Sequence, residues 1–380
     1  MKTPIPVVLA GARGHGRWHL HNIHRLERAG LVRLAGVCEL RPLDERELDG
    51  FAPPGRAATG PLLQSADFGA LLDATGAGVA VICTPIDTHT ELALAAARRG
   101  THILLEKPPA PSFAEFRRMA DGVREAGTVC QIGFQSLGSH ALPAIAALVA
   151  DGTIGDILGI GAAGAWARDE AYFRRSPWAG KRRLGDTDVV DGVLTNPLAH
   201  AVATALALDG SQHADDVTDI ELELARANDI EADDTSCVRV TTARGTRVTV
   251  AVTLCAEEPG EPYVMVHGSH GRITLWYKQD RVLVQRAGHG PAETVHGRTD
   301  LLENLVAHLT QGAELLVPPH RTGAFMRLVE AVRTAPEPRH LPPGSWYAQD
   351  GRRVVKGIDG LVHASAHTLS LFSELEATPR

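Results

Sequence analysis

Apolar and polar positions along the chain fall into two textures. Over the first third, short apolar runs alternate with amphipathic stretches. The runs are Ile5–Ala10, Val32–Cys38, Val79–Cys83, His102–Leu105 and Thr128–Phe134, and their length and β-branched content predict buried strands. Gly16–Ala29 has helical periodicity and closes at Gly30, a helix-stop signal. Thr88-x-x-Glu91 and Ser112-x-x-Glu115 have capping-box spacing, in which a hydroxyl and a carboxylate satisfy two free amides at a helix start. They predict helices over Leu92–Arg99, stopping at Gly100, and from Ser112 to near Gly127. Buried strands joined by capped helices imply βαβ crossovers, hence an α/β, doubly wound parallel sheet of Rossmann type.

Beyond about residue 135 the texture changes. A helix over Leu142–Ala150 precedes a strand over Asp156–Trp166. Further runs at Ile220–Ala225, Ser236–Thr242, Thr246–Cys255, Tyr263–His267, Gly271–Tyr277 and Arg281–Gln285 follow without long helices between them. Their connections, Arg244-Gly245, Gly268-Ser269-His270-Gly271 and Gln279-Asp280, are hairpin-type turns. Helical patterns return at Leu301–Thr310, Thr322–Val332 and Leu361–Glu374. The predicted division is a dinucleotide-binding domain over residues 1–134 and an α+β domain with a large, mostly antiparallel sheet over residues 135–380. Gly50–Gly60, with Pro53, Pro54 and Gly55, reads as a loop. Val248, Val250, Val252 and Leu254 alternate along one sheet face that needs cover, which points to a homodimer or homotetramer assembled through the sheet.

At 380 residues and 44% hydrophobic, the chain has the length and apolar content for two such cores. A formal charge of -7 argues against a general nucleic-acid binder. No apolar run reaches the roughly 18–20 residues needed to span a bilayer, and only Lys2 precedes Ile5–Ala10, which reads as a first strand rather than a signal peptide. The five cysteines are odd in number and dispersed, with no CxxC pair. They predict free thiols in a reducing compartment and hence a cytoplasmic enzyme.

Gly11-Ala12-Arg13-Gly14-His15-Gly16 lies between the first strand and the first helix, where a glycine-rich turn brings backbone amides to a pyrophosphate. Arg13 replaces the middle glycine of the usual fingerprint, with Gly14 beside it. Glu39 ends the second strand about twenty residues further on, placed to accept from an adenosine ribose. A carboxylate there repels a 2′-phosphate and favours NAD; Arg41, two residues on, pairs with such a phosphate and keeps NADP as an alternative. His15, His19, His21 and His24 cluster nearby, but no neighbouring Cys or carboxylate in sequence completes a metal set, so none is predicted.

With Cys83-Thr84-Pro85 and His89, Glu106-Lys107-Pro108, Ile154-Gly155 and Asp191–His200, the Gly11–Gly16 turn (continuing to Arg17 and His19) resembles the glucose–fructose oxidoreductase/inositol dehydrogenase/MocA family. The resemblance covers most of the first 200 residues in the family's order. It implies an NAD(P)-dependent dehydrogenase acting on a secondary hydroxyl of a sugar, cyclitol or glycoside. It places Lys107 beside the nicotinamide on the reacting hydroxyl, His200 as proton acceptor, Pro85 near the nicotinamide, and Glu106 as a positioning group. An ammonium suits developing alkoxide charge, and a neutral imidazole suits general-base work near pH 7.

The family commonly carries Asp four residues before that histidine; here the position is Asn196. Asn196-Pro197 reads as an N-cap and first helical residue of a helix running to about Leu208, with Leu198, Val202 and Ala205 as its core stripe and His200 on the opposite face. His200 then sits near the positive end of a helix dipole, which favours its neutral form. The alternatives are that Asn196 weakens catalysis or that Asp191 supplies a carboxylate. If Asn196 stands in for that carboxylate, Asn196→Asp raises the His200 pKa and moves the pH–rate profile upward.

Only 4% of the chain is aromatic, so a cluster is informative. Trp166, Arg168, Asp169, Tyr172, Phe173, Arg174, Arg175, Trp178 and Lys181 stand close together; Trp166, Arg168, Tyr172, Trp178, Asp191 and Asn196 are the candidate substrate residues. Aromatic faces stack on sugar rings, and the charged members bond hydroxyls, carboxylates or phosphates. Two other functions fit the same residues: glycoside cleavage without net redox on tightly held NAD, and a catalytically weak dinucleotide-binding regulatory protein.

Overall fold

The structure is a computed structural model that describes residues 3–44, 46–47 and 62–375; the Gly50–Gly60 loop lies outside the described residues. β1 (Ile5–Ala10), β2 (Val32–Cys38), β3 (Leu63–Ser65), β4 (Val79–Ile82), β5 (His102–Leu105) and β6 (Cys130–Ile132) form a six-stranded sheet in the order β3-β2-β1-β4-β5-β6. Every pairing in it is parallel. Val7–Ala10 and Val79–Ile82 have no exposed surface, as expected where helices cover both faces. The order reverses beside β1, so the chain leaves the carboxyl ends of β1 and β4 toward opposite sides of the sheet, the place where open α/β sheets bind ligands.

The chain divides by contacts into two units. The first holds the chain up to Ala110, Ala114–Gly133 and Asp300–Pro319; the second holds Pro111–Phe113, Phe134–Thr299 and the chain from His320. The change at Gly133/Phe134 falls beside the boundary read from the sequence. Asp300–Pro319, read there as part of the second domain, packs in the first unit. Gln131 explains why: its side-chain nitrogen donates to Asn304 Oδ1 at 2.6 Å and its Oε1 accepts from the Val317 amide at 2.9 Å. The Ile132 amide donates to the Val317 carbonyl at 2.8 Å, so the returning chain satisfies the free edge of β6.

Two elements of the first unit escape the sequence pattern. β3 is three residues long and half exposed, too short for an alternation to register. The helix Phe68–Thr75 starts at Asp67, whose side chain accepts from the Ala70 amide. The Thr88 capping box is a correction: the helix runs His89–Ala97, and Thr88 makes no side-chain cap. Thr88 ends a single 3₁₀ turn (Ile86–Thr88), and its hydroxyl turns back to donate to the Pro85 carbonyl at 2.7 Å.

The second unit is built on β7 (Ile157–Ala165), a small hairpin of β8 (Arg183–Leu184) and β9 (Thr187–Asp188), then β10 (Val217–Arg226), β11 (Thr235–Thr242), β12 (Arg247–Thr253), β13 (Tyr263–Gly268), β14 (Gly271–Trp276), β15 (Arg281–Arg286), β16 (Ala292–Val295) and β17 (Arg339–His340). Nine of these make one sheet in the order β16-β15-β14-β13-β7-β12-β11-β10-β17, and β18 (Trp346–Gln349) with β19 (Arg352–Val355) forms a separate hairpin. The sheet is antiparallel except for β7–β12 and β10–β17. β16 is exposed throughout and carries no apolar alternation, hence its absence from the sequence reading.

Both faces of the central strands are covered within the chain. Ile160, Ala162 and Gly164 of β7 share a face with Val248, Val250 and Val252 of β12, and Leu198, leading into the helix Ala199–Asp209, packs on Gly164. The four residues read as needing an external partner, Val248, Val250, Val252 and Leu254, are at most 2% exposed in the single chain. This corrects the argument that they require dimerisation. On the opposite face, Ala163, Cys237, Ala251 and Met265 form one core with Ile358, Leu361, Val362 and Ala366 of the helix Ile358–Thr368. That helix crosses β7 closely enough that a Cβ on Gly161 would lie 1.9 Å from the Ala366 carbonyl oxygen.

All five cysteines are free, and burial, foremost, pushes the Cys38 thiol up to about 11 and the Cys237 thiol up to about 12. Among the described residues, no helix is long and apolar enough to cross a membrane.

Candidate active site

In the first unit, β1 ends in the turn Gly11–Gly16. Gly11 has φ +80°, and a Cβ there would stand 2.4 Å from the Cys83 carbonyl oxygen, so the turn closes on β4 only because residue 11 has no side chain. Gly14 has φ +57° and open space where a Cβ would project, leaving the backbone approachable from outside. The helix Gly16–Arg28 begins directly after, and its first amides, those of Gly16, Arg17 and Trp18, donate to the carbonyls of Arg13, Gly14 and His15 in the turn.

Glu39 is tied to this turn. Its Oε1 accepts from the Ala12 amide at 2.6 Å and the Arg13 amide at 3.1 Å, and its Oε2 from Arg13 Nη1 at 3.2 Å. Arg13 also forms a two-pronged pair with Glu47, both contacts at 2.8 Å, and donates to the Arg41 and Pro42 carbonyls. Arg13 therefore clamps the chain after β2 onto the turn, and Arg41 contributes its carbonyl to that clamp.

The second cluster lies at the carboxyl end of β5. Glu106 is buried, its Oε1 lies 2.8 Å from His19 Nε2 and 3.6 Å from His15 Nε2, and its Oε2 accepts from the Lys107 amide at 3.1 Å. Burial alone would push this carboxyl up; the neighbouring His15 and the hydrogen-bonded His19 outweigh it and hold Glu106 well below the usual carboxylate range. His15, His19 and Glu106 gather three potential metal-ligating atoms within 4.8 Å. The sequence reading found no carboxylate to complete a histidine set; folding supplies Glu106 from a distant strand.

Pro85 follows Thr84 at the end of β4. His89, fully buried, places Nδ1 2.9 Å from the Pro108 carbonyl and Nε2 2.9 Å from the Thr84 carbonyl. A neutral imidazole has one N–H and donates to only one of them. Burial, the largest influence, moves His89 down, against the pull of both carbonyls. The ring thus ties Thr84-Pro85 to Lys107-Pro108, fixing the two segments at the same sheet edge.

In the second unit, His200 lies in the first turn of the helix Ala199–Asp209. The start of that helix differs from the sequence reading. Leu198 is the N-cap and makes no side-chain bond, while Asn196 Nδ2 donates to Asp191 Oδ1 at 2.6 Å. The single apolar stripe is also corrected, because Ala199 and every residue from Ala201 to Leu206 are buried. His200 Nδ1 lies 3.1 Å from Ser136 Oγ, and Thr204 Oγ1 donates to the same Ser136 Oγ at 3.0 Å. Phe134 meets the imidazole edge-on at 5.5 Å and Tyr277 stacks on it at 6.4 Å. Ser136 and Tyr277 carry no sequence signal, being a lone hydroxyl and an aromatic among apolar neighbours.

Asp191 binds this segment to the aromatic cluster. Its Oδ2 accepts from the Gly180 amide at 2.8 Å and pairs with Arg175 at 3.2 Å. Arg175 stacks on Tyr172 and Trp178, and Arg168 on Trp166 and Tyr172. Trp166, Arg168, Tyr172, Arg175, Trp178, Asp191 and Asn196 therefore form one connected ladder leading to the His200 helix.

The oxidoreductase family model with an NAD-binding Rossmann fold, Gfo/Idh/MocA, matches residues 5–134, and the Gfo/Idh/MocA C-terminal domain model matches residues 143–274. The chain belongs to this family. Among Gfo/Idh/MocA relatives, levoglucosan dehydrogenase of Pseudarthrobacter phenanthrenivorans is 32% identical over 137 residues, 33% of this chain and 35% of that enzyme. The match thus spans about a third of that relative's length. A dTDP-3,4-didehydro-2,6-dideoxy-alpha-D-glucose 3-reductase of Streptomyces violaceoruber is 26% identical over 270 residues, 70% of each chain. The WlbA dehydrogenase of Bordetella pertussis, solved with NADH and UDP-GlcNAcA, superposes with a TM-score of 0.69 at 21% identity, covering 87% of this chain and 95% of that one. It shares the fold. The glycine cradle at Gly11–Gly14, with open space above Gly14, fits the NAD that the family binds.

Proposed function

We propose that this Gfo/Idh/MocA chain is an NAD-dependent dehydrogenase that interconverts a secondary hydroxyl and a ketone on a sugar, cyclitol or glycoside. The observation that carries the reading is the placement of Lys107. It follows β5 at the carboxyl edge of the same parallel sheet whose β1 ends in the glycine turn, directly after a buried, ionised Glu106. The substrate class rests on the named relatives and on the aromatic ladder.

Gly11, Gly14 and Gly16, with Arg13 and His15, would hold the pyrophosphate of NAD; Glu39 and Arg41 would serve its ribose, and Thr84, Pro85, His89 and Glu106 its nicotinamide end. When bound, NAD would supply the acceptor for the hydride of the carbinol carbon. Lys107 donates a hydrogen bond to the hydroxyl oxygen and stabilises the negative charge that develops there. His200 takes the hydroxyl proton at Nε2. Ser136 Oγ accepts from Nδ1–H in the tautomer this needs, which makes Nε2 the basic nitrogen of the ring. Asn196, held by Asp191, orients the segment entering the His200 helix.

The test is NADH formation by the purified protein with NAD and a panel of sugars and cyclitols. Lys107→Ala is expected to lower kcat by ~10²–10⁴-fold with NADH binding retained. An unaltered rate in the variant would overturn the assignment.

A further inference from the structure

Between Trp166 and Arg182 the chain carries five cations that the structure treats unequally. Arg174 pairs with Glu170, Arg175 with Asp191, and Lys181 with Glu231. Arg182 spends its guanidinium on the carbonyls that end the helix Gly323–Thr334. Arg168 pairs with no carboxylate among the described residues, although it is half-buried.

Its position is nonetheless fixed. The Arg168 amide donates to the Leu254 carbonyl at 2.9 Å, and the Trp166 amide to the Thr253 carbonyl at 2.9 Å, so the segment extends the sheet past the end of β12. The guanidinium carbon lies 5.0 Å from the Trp166 ring and 5.0 Å from the Tyr172 ring. Nη1 donates to the Ala167 carbonyl at 3.0 Å. The other ring cations near Trp166 and Tyr172 are already matched: Lys278 by Glu261 and Arg175 by Asp191.

A guanidinium removed partly from water without a counter-charge is costly, and two aromatic faces repay only part of that cost. Held against the two rings, with a side-chain hydrogen bond to Tyr172, the guanidinium has little freedom left to lose on binding, and its remaining N–H groups form a fork that matches two oxygens of one anionic group. The ladder continues from Tyr172 through Arg175 and Asp191 to Asn196, four residues before His200, so the fork belongs to the same connected structure as the proposed base.

We propose that Arg168 is the specificity-determining anchor for an anionic group on the substrate, which makes the substrate an acidic sugar bearing a carboxylate or a phosphate. Trp166 and Tyr172 hold the fork in plane and stack against the apolar face of the sugar. The inference rests on the dehydrogenase reading for the word substrate; the anion site itself does not depend on turnover.

The experiment therefore measures binding and turnover separately, on the full chain with NAD present. Calorimetric titrations use glucose, glucuronate and glucose 6-phosphate as probes, and NADH formation is followed with each. At least one acidic probe is expected to bind about 10–100-fold more tightly than glucose, in line with charge-assisted bonds to a guanidinium. The preferred probe tells carboxylate from phosphate. Arg168→Ala is expected to abolish that preference, and Arg168→Lys, which keeps the charge but loses the fork, to retain only part of it. If Arg168→Ala does not fold, the Lys variant alone decides. Equal binding of neutral and acidic probes, or an acidic preference untouched in the Lys variant, overturns the proposal. Tight acidic binding that Arg168 controls, with no NADH from any probe, leaves the anchor standing and removes the dehydrogenase reading.

Discussion

Asn196 Nδ2 donates to Asp191 Oδ1 at 2.6 Å, so the residue that departs from the family's usual carboxylate is itself held by a carboxylate five positions upstream. Asp191 simultaneously accepts from Gly180 and pairs with Arg175. The acidic charge expected near His200 is thus present one residue removed, linked through an amide.

This changes what Asn196→Asp does. The substitution sets two carboxylates against each other and removes the donor between them, so one carboxyl titrates above its unfolded value. A raised carboxyl favours the folded state less as pH climbs past the unfolded pKa, and the variant is expected to lose about 1–3 kcal/mol at pH 7 and less near pH 4. Urea unfolding at the two pH values checks the sign. The exchanged pair, Asp191→Asn with Asn196→Asp, is expected to recover part of the loss; equal stability of the single variant and the wild type would remove the Asp191 link.

Glu106 sets an acid limb. Its carboxyl is held below the ordinary range by His15 and His19, against the effect of burial. A depressed carboxyl stabilises the fold above its unfolded pKa of about 4.3, and that stability disappears as pH falls through the folded value. Glu106→Gln is expected to flatten the dependence of unfolding free energy on pH below about 5. A slope identical to the wild type there would show that Glu106 is not the titrating group.

Gly11→Ala forces a Cβ to within 2.4 Å of the Cys83 carbonyl oxygen at φ +80°. The expected cost is about 1–3 kcal/mol from the backbone conformation alone, with loss of NADH binding as the turn moves off β4. Fluorescence titration with NADH and a thermal melt read the two effects; unimpaired NADH affinity would place the cofactor elsewhere.

Gly161→Ala tests the helix that seals the second sheet. The new methyl meets the Ala366 carbonyl, a backbone atom that cannot turn aside, and an expected destabilisation of about 1–3 kcal/mol follows. Gly360→Ala on the same helix projects into open space and is expected to be neutral or stabilising by up to about 1 kcal/mol. If both variants melt at the wild-type temperature, the helix Ile358–Thr368 is not packed on β7.

Much of the architecture is legible in particular stretches. Ile5–Ala10, Val32–Cys38 and His102–Leu105 match their strands end for end, because a short, continuous apolar run between turn signals has one buried extended solution. The Thr88 box failed because capping depends on backbone angles at the cap, which a spacing of residue types does not specify. β16 and β3 were missed because exposed strands need no alternation.

At the site, sequence named Lys107, His200, Asn196 and the aromatic cluster but could not pair them. Glu106 with His15 and His19, Ser136 with His200, and Arg175 with Asp191 are contacts between segments brought together only by folding.

What the sequence alone determined is local: where the chain turns, which runs are buried, and where a glycine turn precedes a helix. These follow from backbone sterics and from hydrophobic periods of two and 3.6 residues, which act within a few positions. What only the tertiary structure decided is which charges are matched. Asp300–Pro319 joins the first unit, the sheet of the second is sealed by its own C-terminal helix, and Arg168 goes without a carboxylate partner among the described residues while Arg174, Arg175 and Lys181 each have one. Hydrogen bonds and ion pairs act over a few ångströms in space, and spacing along the chain carries no record of that distance.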